Sequence, residues 1–276
     1  MTVKEIDGNI HVFGLSNFAL LDTLDCGQAF RWKQISDNCF VGLAYNKFLK
    51  VEFRDDHFIF YNTSLEDFNN IWCQYFDLER NYGEIISKLS QNSVLEKALS
   101  FADGIRILRQ EPWETLCSFI ISQNNNIPRI KLIIERLCEN FGEQHESGLF
   151  TFPSAEILAN KSLEDLAVIR SGFRAKYILD AAKKVASGEI DLEKLKGLDT
   201  DTARAELMKI YGVGEKVADC TLLFGLGHLN AFPKDVWIKK AIEKLFDGNI
   251  PDCAKGYEGI SQQYIFHYAR ITKLDI

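Results

Sequence analysis

Two short stretches carry side chains with chemistry to offer. In 211-YGVGEKVADC-220 two glycines bracket a valine, and Lys216 follows in the first turn of an apolar-faced helical pattern. The positive end of a helix dipole disfavours an ammonium there, and a free amine is a nucleophile suited to carbon centres that give Schiff bases. In 231-AFPKDVWIKKAI-242, Asp235 stands just before a second helical pattern carrying Val236, Ile238 and Ile242. It reads as an N-cap, and its charge can also point into a cleft beside Lys216. A carboxylate so placed stabilises an oxocarbenium-like sugar and positions a proton. Together the two suit cleavage of an N-glycosidic bond: the amine attacks C1′, the base leaves, and the resulting imine undergoes β-elimination. The plainer readings are a solvated lysine at a helix start and a purely structural cap.

The turn before Lys216 has its own use. Gly212 and Gly214, around Val213, can both take positive φ and allow a tight helix–hairpin–helix turn. The same glycines expose backbone N–H groups at the start of the next helix, where those donors and the dipole favour an anion such as a DNA phosphate. An ordinary C-cap glycine followed by a tight turn explains the pattern equally well.

The elements around these stretches divide the chain in two. Residues 8–62 alternate and are rich in aromatic and β-branched residues, which predicts an antiparallel sheet of about five strands. From Ser64 the period becomes helical, with helices predicted at about 84–103, 112–123, 128–141, 154–160, 162–169, 174–187, 200–210, 215–226, 236–246 and 256–270. The reading is α+β: a small sheet domain over 1–100 and a larger all-α domain over 101–276. With 276 residues, 46% of them hydrophobic, either one large domain or two modest ones can bury a core. Seven scattered cysteines without a C-x2-C pair read as free thiols in a reducing cytoplasm, not as zinc or iron–sulfur ligands. The acidic first residues lack a signal-peptide h-region and no long apolar run exists, so a cytoplasmic protein without a membrane span is expected, nucleoid-associated if prokaryotic. The net charge of −7 argues weakly against nucleic acid. The charge is uneven, however: residues 1–100 hold 9 basic against 14 acidic side chains, a net of −5, and the remainder 23 against 25, a net of −2.

The helix, Gly-Val-Gly, Lys216, and then Pro233-x-Asp235-Val236 resemble the helix–hairpin–helix glycosylase superfamily. The stretches 26-CGQAFRW-32, 104-GIRILRQEPWETLCSFIISQNNNIPRIKLIIERLCENFG-142, 172-GFRAKY-177 and 211-YGVGEKVADC-220 narrow this to the 8-oxoguanine DNA glycosylases of the eukaryotic type, over about residues 10–270. The resemblance implies an N-terminal sheet like half of a TATA-binding-protein fold on a helical catalytic body. It implies a bifunctional glycosylase/lyase, expected as a monomer, acting on double-stranded DNA with 8-oxoguanine opposite cytosine. Lys216 would be the nucleophile and Asp235 the carboxylate.

Guanine presents a bare N7 acceptor, whereas 8-oxoguanine carries a hydrogen there, so a fixed carbonyl tells them apart. The resemblance puts that carbonyl on Gly27. It sets Cys220 and Phe266 against the two faces of the extruded base and Gln262 at its Watson–Crick edge; spacings of four residues put Lys216 with Cys220, and Gln262 with Phe266, on common helix faces. Asn124 would fill the gap left in the duplex, Arg129 and Arg174 would donate to the estranged cytosine, and Phe173 would be an aromatic wedge. A monovalent or divalent cation held by carbonyls near 209–214 is a further implication; the sequence carries no ligand signature for it and no other metal or cofactor is expected. One departure stands out: animal members carry His two places after the matched Asp, and this chain has Trp237. A glycosylase of the same superfamily with another damaged-base preference, and a non-catalytic DNA-binding module, are the alternatives; the latter would need neither Lys216 nor Asp235.

Overall fold

Two-residue turns with positive φ at both positions, Tyr45-Asn46 and Asp55-Asp56, match the right-handed twist of antiparallel strands and set tight hairpins. The computed structural model, which describes residues 1–273, joins them into one six-stranded antiparallel sheet. The strands are β1 Thr2–Ile6, β2 Asn9–Phe13, β3 Lys33–Ser36, β4 Cys39–Ala44, β5 Lys47–Arg54 and β6 His57–Tyr61, in the order β1-β2-β6-β5-β4-β3. One face is apolar: Ile10 lies opposite Phe60, and Phe60 opposite Val51, all three with no exposed surface. The sequence pattern predicts about five strands because β1 is almost wholly exposed and so carries no apolar alternation.

Helices cover that face and build the larger body. The segment after Ser64 is one helical stretch interrupted by a π-turn at Phe68–Trp72, which turns Trp72 and Phe76 into the sheet's core. The predicted 84–103 helix is two, Tyr82–Leu89 and Ser93–Leu99, because the Asn92 side chain accepts from Val94 and Leu95 N–H and starts a new helix. Tyr82, Ile85, Leu89, Leu95 and Leu99, with Cys26 and Phe30, belong to the core of the helical body, not to that of the sheet. Each fully buried aliphatic or aromatic side chain is worth about 1.5–3 kcal/mol.

Gln28, with no exposed surface, ties the two parts together. Its amide donates to the carbonyls of Thr23 at 2.9 Å and Arg106 at 2.8 Å, and its side-chain oxygen accepts from Leu108 N–H at 2.9 Å. The Gln28 main-chain carbonyl accepts from Gln110 Nε2 at 2.6 Å. Residues 106–110 therefore run as an extended brace against the 26–28 turn, and they carry the chain into helix Pro112–Ser122.

Candidate active site

Helix Glu215–Phe224 packs against helix Pro112–Ser122, and a hairpin sets its start. Gly212 has φ +81, and a Cβ there would lie 2.4 Å from the Tyr177 ring, so both backbone and packing require glycine. Gly214 differs from expectation: its φ of −104 is one any residue adopts, and open space surrounds its missing Cβ. It is the N-cap without a side-chain cap, so no cap side chain occupies the N–H groups of the first turn. Val213 between them is buried. The hairpin is braced by Arg204 Nε to Asp219 Oδ1 at 2.6 Å and by Tyr211 N–H to Asp180 Oδ2 at 2.7 Å.

Lys216, on the first turn, is half-buried. Its Nζ donates to Ser122 Oγ at 3.1 Å and stands 5.0 Å above the centre of the Phe119 ring. Both partners come from helix Pro112–Ser122, nearly a hundred residues earlier, and neither was singled out from the sequence. Their place in the 104–142 block is the signal that could have found them. Cys220, one turn on, is 3% exposed; burial pushes its thiol up to about 11 against the pull of Lys216, so it stands there as a neutral thiol at neutral pH. Asp235 caps helix Val236–Phe246 by accepting from Ile238 N–H at 2.8 Å.

Lys216, Asp235, Gly27, Cys220, Gln262 and Phe266 line one cavity, together with Phe119, Phe224, Pro233 and Gln263. It measures about 50 Å³, room for a water or two and not for a purine. The Phe266 ring lines it beside Gly27, where a Cβ on Gly27 would touch its Cε1 at 3.5 Å. Gly27 has φ +90, a conformation glycine alone takes freely. The carbonyls on either side of it are tied: Cys26 accepts from Gln263 Nε2 at 3.4 Å and Gln28 from Gln110. The Gly27 carbonyl accepts no hydrogen bond among the described residues. Gln262, 5% exposed, donates from Nε2 to the Pro233 carbonyl at 3.1 Å, and its Oε1 is buried without a partner.

The remaining candidates form a second group, with Asn124, Arg129 and Phe173 on the surface and Arg174 beneath it. Asn124 is exposed in the left-handed region at φ +48, and Phe173 is 49% exposed. Arg129 is exposed, next to Asn126, whose side chain caps helix Ile127–Phe141. Arg174 departs from expectation. It is 4% exposed and its guanidinium is committed to main-chain carbonyls: Nε and Nη2 to Gln123, Nη2 to Asn124 at 2.8 Å and Nη1 to Ser171 at 3.1 Å. Burial, and after it the charge of nearby Arg129, lower its pKa. Trp237 is 41% exposed beside Asp235. Among the described residues no group of three His, Cys, Asp or Glu side chains could hold a metal, and no helix is long and apolar enough to cross a membrane.

Comparison with known proteins gives this arrangement a context. Residues 12–116 match the model of the 8-oxoguanine DNA glycosylase N-terminal domain, and residues 117–252 that of the HhH-GPD superfamily of base excision DNA repair proteins. The N-glycosylase/DNA lyase of Saccharomyces cerevisiae is 32% identical over 258 residues, covering 83% of this chain and 68% of that protein. The Clostridium acetobutylicum 8-oxoguanine glycosylase/lyase, solved with double-stranded DNA containing cytosine opposite 8-oxoguanine, is 39% identical, with a TM-score of 0.93 over 99% of each chain. MBOgg1, solved with a low-affinity DNA ligand, is 44% identical, with a TM-score of 0.92 over 99% of each chain.

Proposed function

The chain belongs to the 8-oxoguanine DNA glycosylase/lyase family, and from that premise we propose that it excises 8-oxoguanine from duplex DNA with Lys216 as nucleophile and Asp235 as the stabilising carboxylate. The observation that carries the reading is the single cavity shared by Lys216, Asp235, Gly27, Cys220, Gln262 and Phe266. The lesion is flipped out of the stack, and Phe266 swings aside to admit it between its own ring and Cys220. The unpaired Gly27 carbonyl accepts the N7 hydrogen that 8-oxoguanine has and guanine lacks. Gln262 Oε1, its amide oriented by the Pro233 carbonyl, accepts from an N–H of the Watson–Crick edge. Leaving such buried acceptors facing the wrong base costs about 1–3 kcal/mol.

The Lys216 lone pair then forms the bond to C1′ as the C1′–N9 bond breaks, and the base departs with that electron pair and takes the proton that the newly bonded, positively charged Nζ gives up. Asp235 offsets the positive charge that grows on the sugar. Ring opening gives the imine, loss of a C2′ proton follows, and the C3′–O bond breaks to nick the strand. First-turn N–H groups after Gly214 hold a phosphate of the same strand. The main-chain carbonyls of Met208, Tyr211, Gly212 and Val213, which accept no hydrogen bond among the described residues, are the oxygens open to a cation at the hairpin, which would add positive charge beside that phosphate.

Borohydride should trap a covalent adduct with an 8-oxoguanine duplex, and Lys216→Gln should abolish it; an adduct that survives the substitution removes Lys216 as nucleophile. In a panel of duplexes with one lesion each, release of alkylated bases in preference to 8-oxoguanine would move the protein to another substrate class.

A further inference from the structure

We propose that His11 and His57 bind a divalent late transition metal, copper(II) before others, on the face of the sheet turned away from its apolar core. The two residues are 46 positions apart, and strand pairing alone brings them together: β2 lies beside β6, with His11 opposite Ile59 and Phe13 opposite His57. Ile10 and Val12, which point the other way from β2, have no exposed surface, whereas both histidines are half-buried. The pair therefore has protein on one side and solvent on the other. Neither residue lines the cavity around Lys216, and the proposal stands apart from the glycosylase reading.

A neutral imidazole has one N–H and one lone pair. His57 Nδ1 lies 3.0 Å from the Asp55 carbonyl oxygen, which can only accept, so Nδ1 holds the hydrogen and Nε2 presents the lone pair. A carbonyl behind a histidine fixes its ring orientation and tautomer in the way metal sites use. The Nε2 lone pair faces His11 Nδ1 at 2.8 Å and accepts its hydrogen. Moving that hydrogen from Nδ1 to Nε2 of His11 leaves the ring neutral and turns both facing nitrogens into lone pairs. Two nitrogens about 2.0–2.1 Å from one ion and at right angles to each other are about 2.9 Å apart. The spacing of this pair therefore fits neighbouring corners of the tetragonal arrangement that copper(II) takes with imidazoles, whereas a tetrahedral ion would push the nitrogens about half an ångström further apart. Water fills the remaining corners. The Phe13 ring stacks on His57 at 4.4 Å and 18° and limits how far that ring swings. The cations nearby are engaged: Lys4 lies over the Phe13 ring, and Arg54 lies 3.8 Å from both Glu52 and Asp55.

The test is titration of copper(II) chloride into the full chain at neutral pH, followed by electron paramagnetic resonance and by line broadening in amide NMR spectra. One tetragonal copper with two nitrogen ligands should form per chain, and the amides of residues 10–13 and 57–59 should broaden first. His11→Gln and His57→Gln should each weaken the binding by a factor of about ten or more. His145→Gln, which alters a histidine bonded to Ser147, should leave it unchanged. Copper that binds both single variants as tightly as wild type overturns the proposal. So does broadening around His145 or His228 that spares His11 and His57, or a wild-type chain that takes up no copper below millimolar concentration. The broadening is read on the wild-type chain, so the test holds even if a variant fails to fold. Because no DNA is present, failure to release 8-oxoguanine counts against the glycosylase reading alone.

Discussion

Asp235 caps a helix, and the second duty proposed for it, offsetting charge on the sugar, is one that experiment can separate from the first. Asparagine caps a helix about as well as aspartate, so Asp235→Asn should leave the unfolding midpoint close to wild type and DNA binding in place. Turnover on 8-oxoguanine should fall by about 100-fold or more, the range for losing a charged participant; unchanged turnover would leave Asp235 a cap and nothing else. Candidate side chains such as Lys216 and Asp235 stand out in a sequence because so few residue types can do this chemistry and both sit at helix starts. Burial is harder to read. Arg174 looks like any basic residue in GFRAKY, and that its guanidinium is enclosed by three carbonyls depends on a loop fifty positions away. Ser122 and Phe119, which touch Lys216 Nζ, were hidden for the same reason.

At the scale of elements, the hairpin separates the needs of the fold from those of the ligand. Gly212→Ala places a Cβ both in the left-handed region and against the Tyr177 ring, and should cost about 2–4 kcal/mol of stability, read by denaturant unfolding. Gly214→Ser meets no atom and supplies a better N-cap than glycine by a few tenths of a kcal/mol. Its stability should hold or rise while affinity for abasic duplex falls, because on the proposed reading the new side chain stands where a phosphate approaches. A Gly214→Ser variant binding as tightly as wild type would argue that no phosphate sits there. Most helices were legible from the apolar period and their caps. The errors lie where a side chain redirects the backbone: the Asn92 cap divides one expected helix into two, and an exposed edge strand, β1, offers no pattern to find.

The whole molecule responds to pH through groups held neutral. His267 is 7% exposed, and burial lowers its pKa although Asp22 lies 3.8 Å away. Burial beside His57 lowers His11 as well. For both, the unfolded chain holds the proton more tightly than the folded one. The stability they allow is therefore complete above the ordinary histidine value of 6.5 and drains away as pH falls below it. Thermal midpoints should drop between pH 7.5 and 5.5, and His267→Gln should flatten part of that fall; an equally steep fall in the variant would clear His267. One last property follows from the way the sheet ends. Its outer strands, β1 and β3, are short, and β1 bears Lys4 and Glu5, while β3 bears Lys33 and Gln34 and shifts register at Gln34/Ser36. Charged, uneven rims are poor templates for another chain, so copies crowded at high concentration gain little by zipping together into fibres.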